Sequence, residues 1–135
     1  MKKFLKEWKL GTDFGVLALR LAMGFGLFYA HGMGKLGKLF SGAEIHFMDP
    51  IGLGEKLSFG LVAFAEGICS ILVMVGLFTR FAVVAPIITM LVIVFSVHSG
   101  GAFKELELPF LYLIGYFAIF LTGGGKHSID RLITK

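Results

Sequence analysis

Charge is scarce in this chain. Only 16% of its 135 residues are Asp, Glu, Lys or Arg, against the roughly 25% usual in soluble globular proteins, which argues against an ordinary cytosolic enzyme. Cysteine is scarcer still: Cys69 stands alone, which excludes both a disulfide scaffold and a dithiol redox cycle. Low hydrophobicity with high net charge, the composition of intrinsic disorder, is missing too, and no internal repeat or polar low-complexity tract is visible. The net charge of +4 does not signal a nucleic-acid partner either, because the basic residues form no concentrated patch.

What the chain has instead is apolar length. Hydrophobic residues make up 56% of it, about 76 residues, close to four bilayer spans of ~20 residues each. The mean hydropathy of +0.85 agrees. The runs are near-continuous, without the alternation of barrel strands, so the expected fold is an all-α membrane protein, a four-transmembrane-helix bundle forming a single domain over residues 1–135. The spans are expected at about 13–32, 57–77, 81–97 and 108–122, with a glycine-rich loop over 33–56. The basic N-terminus resembles the start of a signal peptide, but no small-residue cleavage site follows and the first run carries Arg20 and His31, so it reads as a retained helix. Lysine and arginine in the short flanks set the orientation. Lys2, Lys3, Lys6, Lys9, Arg80, Lys126, Arg131 and Lys135 fall on one side, and Lys35, Lys38, Lys56 and Lys104 on the other. Both termini are therefore expected in the cytoplasm, and Trp8 at the cytoplasmic headgroup level.

Ionisable groups within spans carry the functional signal, because each is costly to hold in hydrocarbon. Arg20 is placed ~10 Å from the cytoplasmic end of the first helix and Glu66 ~13 Å from the outer end of the second. An Arg20–Glu66 ion pair facing the bundle interior is expected, serving either substrate or proton handling or only helix register. His31 lies eleven residues after Arg20, which on a regular helix returns it to the same face as Phe28. His31 and His98 are both expected at the outer rim, near Glu105 and Glu107. That group has three readings: metal or haem ligation, proton transfer at a pocket mouth, or ordinary interfacial hydrogen bonds. No His-x-x-His or Cys-x-x-Cys spacing supports ligation, so no metal ligand is assigned. Tyr112 and Tyr116, one turn apart, either flank an aromatic head group or pack. Pro86 is expected to disturb the third helix, and Pro109 to sit in the first turn of the fourth. The Gly123-Gly124-Gly125 run is a helix stop, since it lacks the lysine and hydroxyl of a nucleotide-binding loop.

Taken together these residues resemble the DoxX family of small four-helix membrane proteins. The likeness rests on Leu19-Arg20-Leu21 with Gly24, His31-Gly32-Met33-Gly34-Lys35-Leu36, Glu66, Gly76-Leu77-Phe78-Thr79-Arg80 and His98. It continues through Gly123-Gly124-Gly125 to Ser128-Ile129-Asp130, where many relatives have Gly-Pro-Gly and Ser-Leu-Asp. The family takes its name from a subunit of a membrane thiosulfate:quinone oxidoreductase, and other relatives are linked to quinone or catechol detoxification, to thiol stress, or to assembly. The resemblance implies a multi-pass protein of the inner (cytoplasmic) membrane acting as a quinone-linked oxidoreductase component on a small thiol, sulfur, quinone or phenolic substrate. Arg20, Glu66, His31 and His98 are then the expected catalytic residues. Arg20, Phe28, Tyr112, Tyr116 and Glu105 are expected to bind substrate, and a quinone is the candidate cofactor. Two other readings stay open: a non-catalytic scaffold or assembly partner that works through a protein partner or as a homo-oligomer, and a small-molecule carrier.

Overall fold

The computed structural model describes residues 1–97 and 100–135. Among them there is no strand, and four helices are long and apolar enough to cross a bilayer: α1 (Lys9–Phe40), α2 (Glu55–Val75), α3 (Thr79–Val97) and α4 (Phe103–Thr122). A short α5 (Ile129–Ile133) follows. α1 packs along α2, α3 along α4, and α1 also meets α4. The core runs through Leu27, Val73, Val83, Met90, Tyr116 and Ile119, all buried. Many apolar side chains on the outer helix faces, such as Leu21, Ile88 and Phe117, remain exposed. That pattern suits a lipid surround, where the outside of the bundle is as apolar as its inside.

Two helices differ in extent from the sequence expectation. α1 has 32 residues, about 48 Å at 1.5 Å per residue, well over a ~30 Å hydrocarbon core. Its last two turns, Met33–Phe40, carry Lys35 and Lys38. The apolar run ends near Gly32, but no proline or cap stops the hydrogen-bond ladder there, and it continues until Ser41 N–H donates to the Gly37 carbonyl. The connecting loop is correspondingly shorter, residues 41–54. α4 begins at Phe103, so Pro109 lies inside the helix rather than in its first turn. Pro86 is buried in α3, which breaks for one residue at Val83.

The α2–α3 hairpin is tight. Gly76 adopts a left-handed conformation (φ 71°), the Leu77 N–H donates to the Leu72 carbonyl and the Gly76 N–H to that of Val73, a Schellman closure. Three spans also contain a wider π-helical turn: Phe28–Gly32 in α1, Phe64–Cys69 in α2 and Ile93–Val97 in α3. Such turns accommodate one extra residue within a helix and recur at functional sites. The turns in α1 and α2 pack against each other. Both chain ends lie at one end of the bundle, where the Phe14 ring stacks on that of His127 with centroids 5.0 Å apart. The 41–54 loop lies at the other end.

Candidate functional site

At the loop end a cavity of about 360 Å³ is walled by all four helices and roofed by the loop. Most of its lining is apolar: Leu27, Val62, Ile88 and Ile93 from the helices, and Phe47, Met48 and Leu53 from the loop. Against this wall stand His31, Lys35, Glu66 and Tyr112. An apolar chamber with a few convergent polar groups is the usual form of a small-molecule site.

Glu66 and Lys35 are ion-paired, with Lys35 Nζ 2.5 Å from Glu66 Oε2. The Glu66 side chain is 5% exposed and that of Lys35 22%, so the pair sits at the margin between cavity and surface. Two glycines bring the helices close enough to form it. A Cβ at Gly32 would overlap the Glu66 carbonyl, and one at Gly67 would overlap Leu36. The π-turns lie at this crossing, and beyond it α1 carries Lys35 onto the carboxylate.

Asp49 organises the roof. One carboxylate oxygen accepts from the Leu53 N–H at 2.8 Å and the Ser58 hydroxyl at 2.9 Å, and the other accepts from the Gly54 N–H at 2.8 Å. The Gly54 amide, with help from Ser58 and the Leu53 and Gly52 amides, holds this carboxyl below the usual carboxylate range. The Phe47 ring then meets Phe59 edge-on, with centroids 5.3 Å apart.

Arg20 is elsewhere. The expected Arg20–Glu66 ion pair does not form. The guanidinium donates instead to the carbonyls of Gly124 (2.5 Å), His127 (2.8 Å) and Met74 (3.3 Å). Met74 is eight residues beyond Glu66, about 12 Å further along α2. The Met74 carbonyl lies in the last turn of α2, where carbonyls are orphaned and partly negative, and those of Gly124 and His127 are loop carbonyls, so together they satisfy the guanidinium with backbone oxygens. Arg20 is thus the pin of a fold-back in which the 123–128 loop returns over the α2–α3 hairpin. Asp130 completes it by accepting from the Phe78 N–H at 2.7 Å and the Thr79 N–H at 2.8 Å, which caps α3. Ser128 caps α5 through the Arg131 N–H.

Burial alone would raise the Asp130 carboxyl, but Thr79, the Phe78 amide and the Arg20 charge outweigh it and leave it below the usual carboxylate range. A carboxyl held low in the folded state contributes stability that is present above the unfolded value near 3.9 and is lost as pH falls through the folded value. In detergent solution the melting temperature should therefore drop below about pH 4, and Asp130→Asn should flatten that drop while lowering the neutral-pH value. Asp49 acts in the same direction, so the test is the difference between the two acid profiles; identical profiles would remove Asp130 from the account.

Of the other sequence candidates, Tyr112 lines the cavity. Its ring stacks on that of Tyr116 at 6.3 Å, but Tyr116 is fully buried in the core, with its hydroxyl donating to the Met23 carbonyl at 3.1 Å. Phe28 is half-buried and outside the cavity lining, and Glu105 is exposed at the start of α4. Arg80 donates to the Phe120 and Leu121 carbonyls and caps α4. His98 lies outside the described residues, so of the expected outer cluster only His31, Glu105 and Glu107 are placed. Sequence reasoning assigned no role to Lys35 or Asp49. The available signal for Lys35 was its position four residues after His31, on the same helical stripe, had the helix been extended that far.

Fold and site thus define a four-helix polytopic membrane protein with a roofed cavity at one end and a pinned C-terminal fold-back at the other. The chain matches the family model DoxX over residues 15–99, more than half its length, and it belongs to the DoxX family. The matched span contains Arg20, His31, Lys35 and Glu66 and ends before α4. No curated protein and no solved structure matches the chain.

Proposed function

We propose that the cavity binds a quinone or phenolic head group, and that the protein is the quinone-handling component of a membrane redox reaction. The observation that carries this reading is the placement of His31, Tyr112 and the Lys35–Glu66 pair on the wall of an otherwise apolar chamber. A flat, weakly polar ring suits the apolar lining, and its oxygens require hydrogen-bond partners once desolvated. Reduction of a quinone to the hydroquinone takes up two electrons and two protons. The electrons come from an outside donor, which the family resemblance suggests is a thiol or other reduced-sulfur compound. Lys35 stabilises the negative charge that develops on the nearer oxygen, and Glu66 and His31 pass protons. Arg20 acts at a distance by holding the bundle together. The lysine and arginine distribution supports termini in the cytoplasm and the cavity toward the outer face of the inner membrane.

The test is equilibrium binding of a short-chain benzoquinone to the purified protein. Glu66→Gln and His31→Ala should each weaken it about tenfold, the equivalent of ~1.4 kcal/mol. Unchanged binding and unchanged quinone-dependent turnover in both variants would sink the reading. If replacing residues 41–54 by a glycine-serine linker abolished recovery of a protein partner while Glu66→Gln did nothing, the scaffold reading would take its place.

A further inference from the structure

At the terminal end a second, open cleft of about 880 Å³ lies between the α2–α3 hairpin, the 123–128 loop and α5. We propose that this cleft is a binding site for a phosphate-bearing anion at the membrane surface. The inference is independent of the cavity at the other end.

Three observations converge on it. The first is charge. Arg80, Lys126, Arg131 and Lys135 line the cleft, against the acids Asp13 and Asp130. Asp130 stays ionised on the Phe78 and Thr79 amides, and the four cations still outnumber the two acids. The side chains of Lys126, Arg131 and Lys135 have no hydrogen-bond or ion-pair partner among the described residues.

The second is the backbone of the loop. Arg20 draws the carbonyls of Gly124 and His127 inward. In a trans peptide the N–H points opposite to the carbonyl, so the Gly125 and Ser128 amides face away from the guanidinium. The Gly125 amide has no acceptor among the described residues, whereas the Ser128 amide closes the turn at 126–127. Gly123 and Gly125 take positive φ values of 70° and 73°, which glycine adopts at little cost and which let the chain turn back over the hairpin with its backbone exposed to the cleft.

The third is position. Phe78, Phe81 and Leu132 border the cleft and are exposed, Phe81 to 84%. Their apolar faces belong in hydrocarbon, which places the cations beside them at the depth of a lipid phosphate, where basic residues are attracted to an anionic leaflet.

The test uses the full chain in neutral detergent micelles at constant ionic strength. Thermal unfolding is followed after addition of phosphatidylglycerol, of phosphatidylcholine, or of inorganic phosphate balanced against chloride. Phosphatidylglycerol should raise the melting temperature by several degrees over phosphatidylcholine, and the triple variant Lys126→Gln/Arg131→Gln/Lys135→Gln should lose most of that rise. Arg80 is left intact because it caps α4. An equal rise with inorganic phosphate, lost in the same variant, would identify a free phosphate as the ligand. A control variant, Lys2→Gln/Lys3→Gln/Lys6→Gln, should retain the effect. The proposal is overturned if the two lipids act alike, if the triple variant keeps the full rise, or if the control variant loses it.

Discussion

Arg20→Leu should release the C-terminal fold-back and cost the protein on the order of 3–5 kcal/mol. Three carbonyls, those of Gly124, His127 and Met74, lose their donor at once, and a buried acceptor left unpaired costs about 1–3 kcal/mol. Water reaching the loosened loop offsets part of the sum. The loss is wider than stability. With the guanidinium gone, the 123–128 loop is held to the α2–α3 hairpin only from its far side, by the Asp130 N–H on the Gly76 carbonyl and the Asp130 carboxylate on the Phe78 and Thr79 amides, so its near side opens. Trypsin should then cut after Lys126 much faster than in the native protein. Arg20→Lys should recover only part of the loss, because an ammonium is a point donor and cannot span three carbonyls with a rigid fork. Denaturant titration in mixed micelles and a proteolysis time course measure both effects. A stability change under about 1 kcal/mol, with unaltered cleavage, would show that Arg20 is not the pin.

The second large effect concerns the other end. Lys35→Met leaves the Glu66 carboxylate, 5% exposed, without its cation, and breaking a buried pair from one side costs about 3–5 kcal/mol. Adding Glu66→Gln to Lys35→Met should restore most of that stability, since the uncompensated charge is gone. Quinone binding should stay weak in the single and the double variant alike. This combination separates a structural role from a binding role: if the pair only fixes helix register, the restored double variant should bind as the native protein does. A double-mutant cycle on stability gives the coupling between the two residues directly.

Four spans, their approximate boundaries and the importance of Arg20 and Glu66 follow from hydropathy and the cost of buried charge, because both act along one segment at a time. The partners of those charges do not follow. Arg20 finds backbone carbonyls more than a hundred residues away in sequence, and carbonyls are present at every position, so no side-chain pattern announces them. Glu66 finds Lys35, which hydropathy places in a loop because the apolar run ends at Gly32 while the helix does not. The 41–54 roof depends on Asp49 and three local donors, chemistry common to many loops that packing alone turns into a lid. Pro109 was misplaced for a related reason: α4 begins in a segment, Phe103 to Glu107, whose charge obscures its helical start.

The π-turns change how positions along α1 are to be counted. A regular helix advances 100° per residue, and a turn that absorbs one extra residue sets everything after it back by about that angle. Lys35, fifteen residues after Arg20, is therefore swung by roughly a quarter revolution from where even steps would put it. The same offset occurs in α2, within the turn that contains Glu66. α1 and α2 consequently have two registers: one face of each is in phase with the Arg20 pin, and a different face is in phase with the cavity. A substitution pattern in one half of a helix does not extrapolate into the other, so the two ends of the protein can diverge separately while sharing the same four helices.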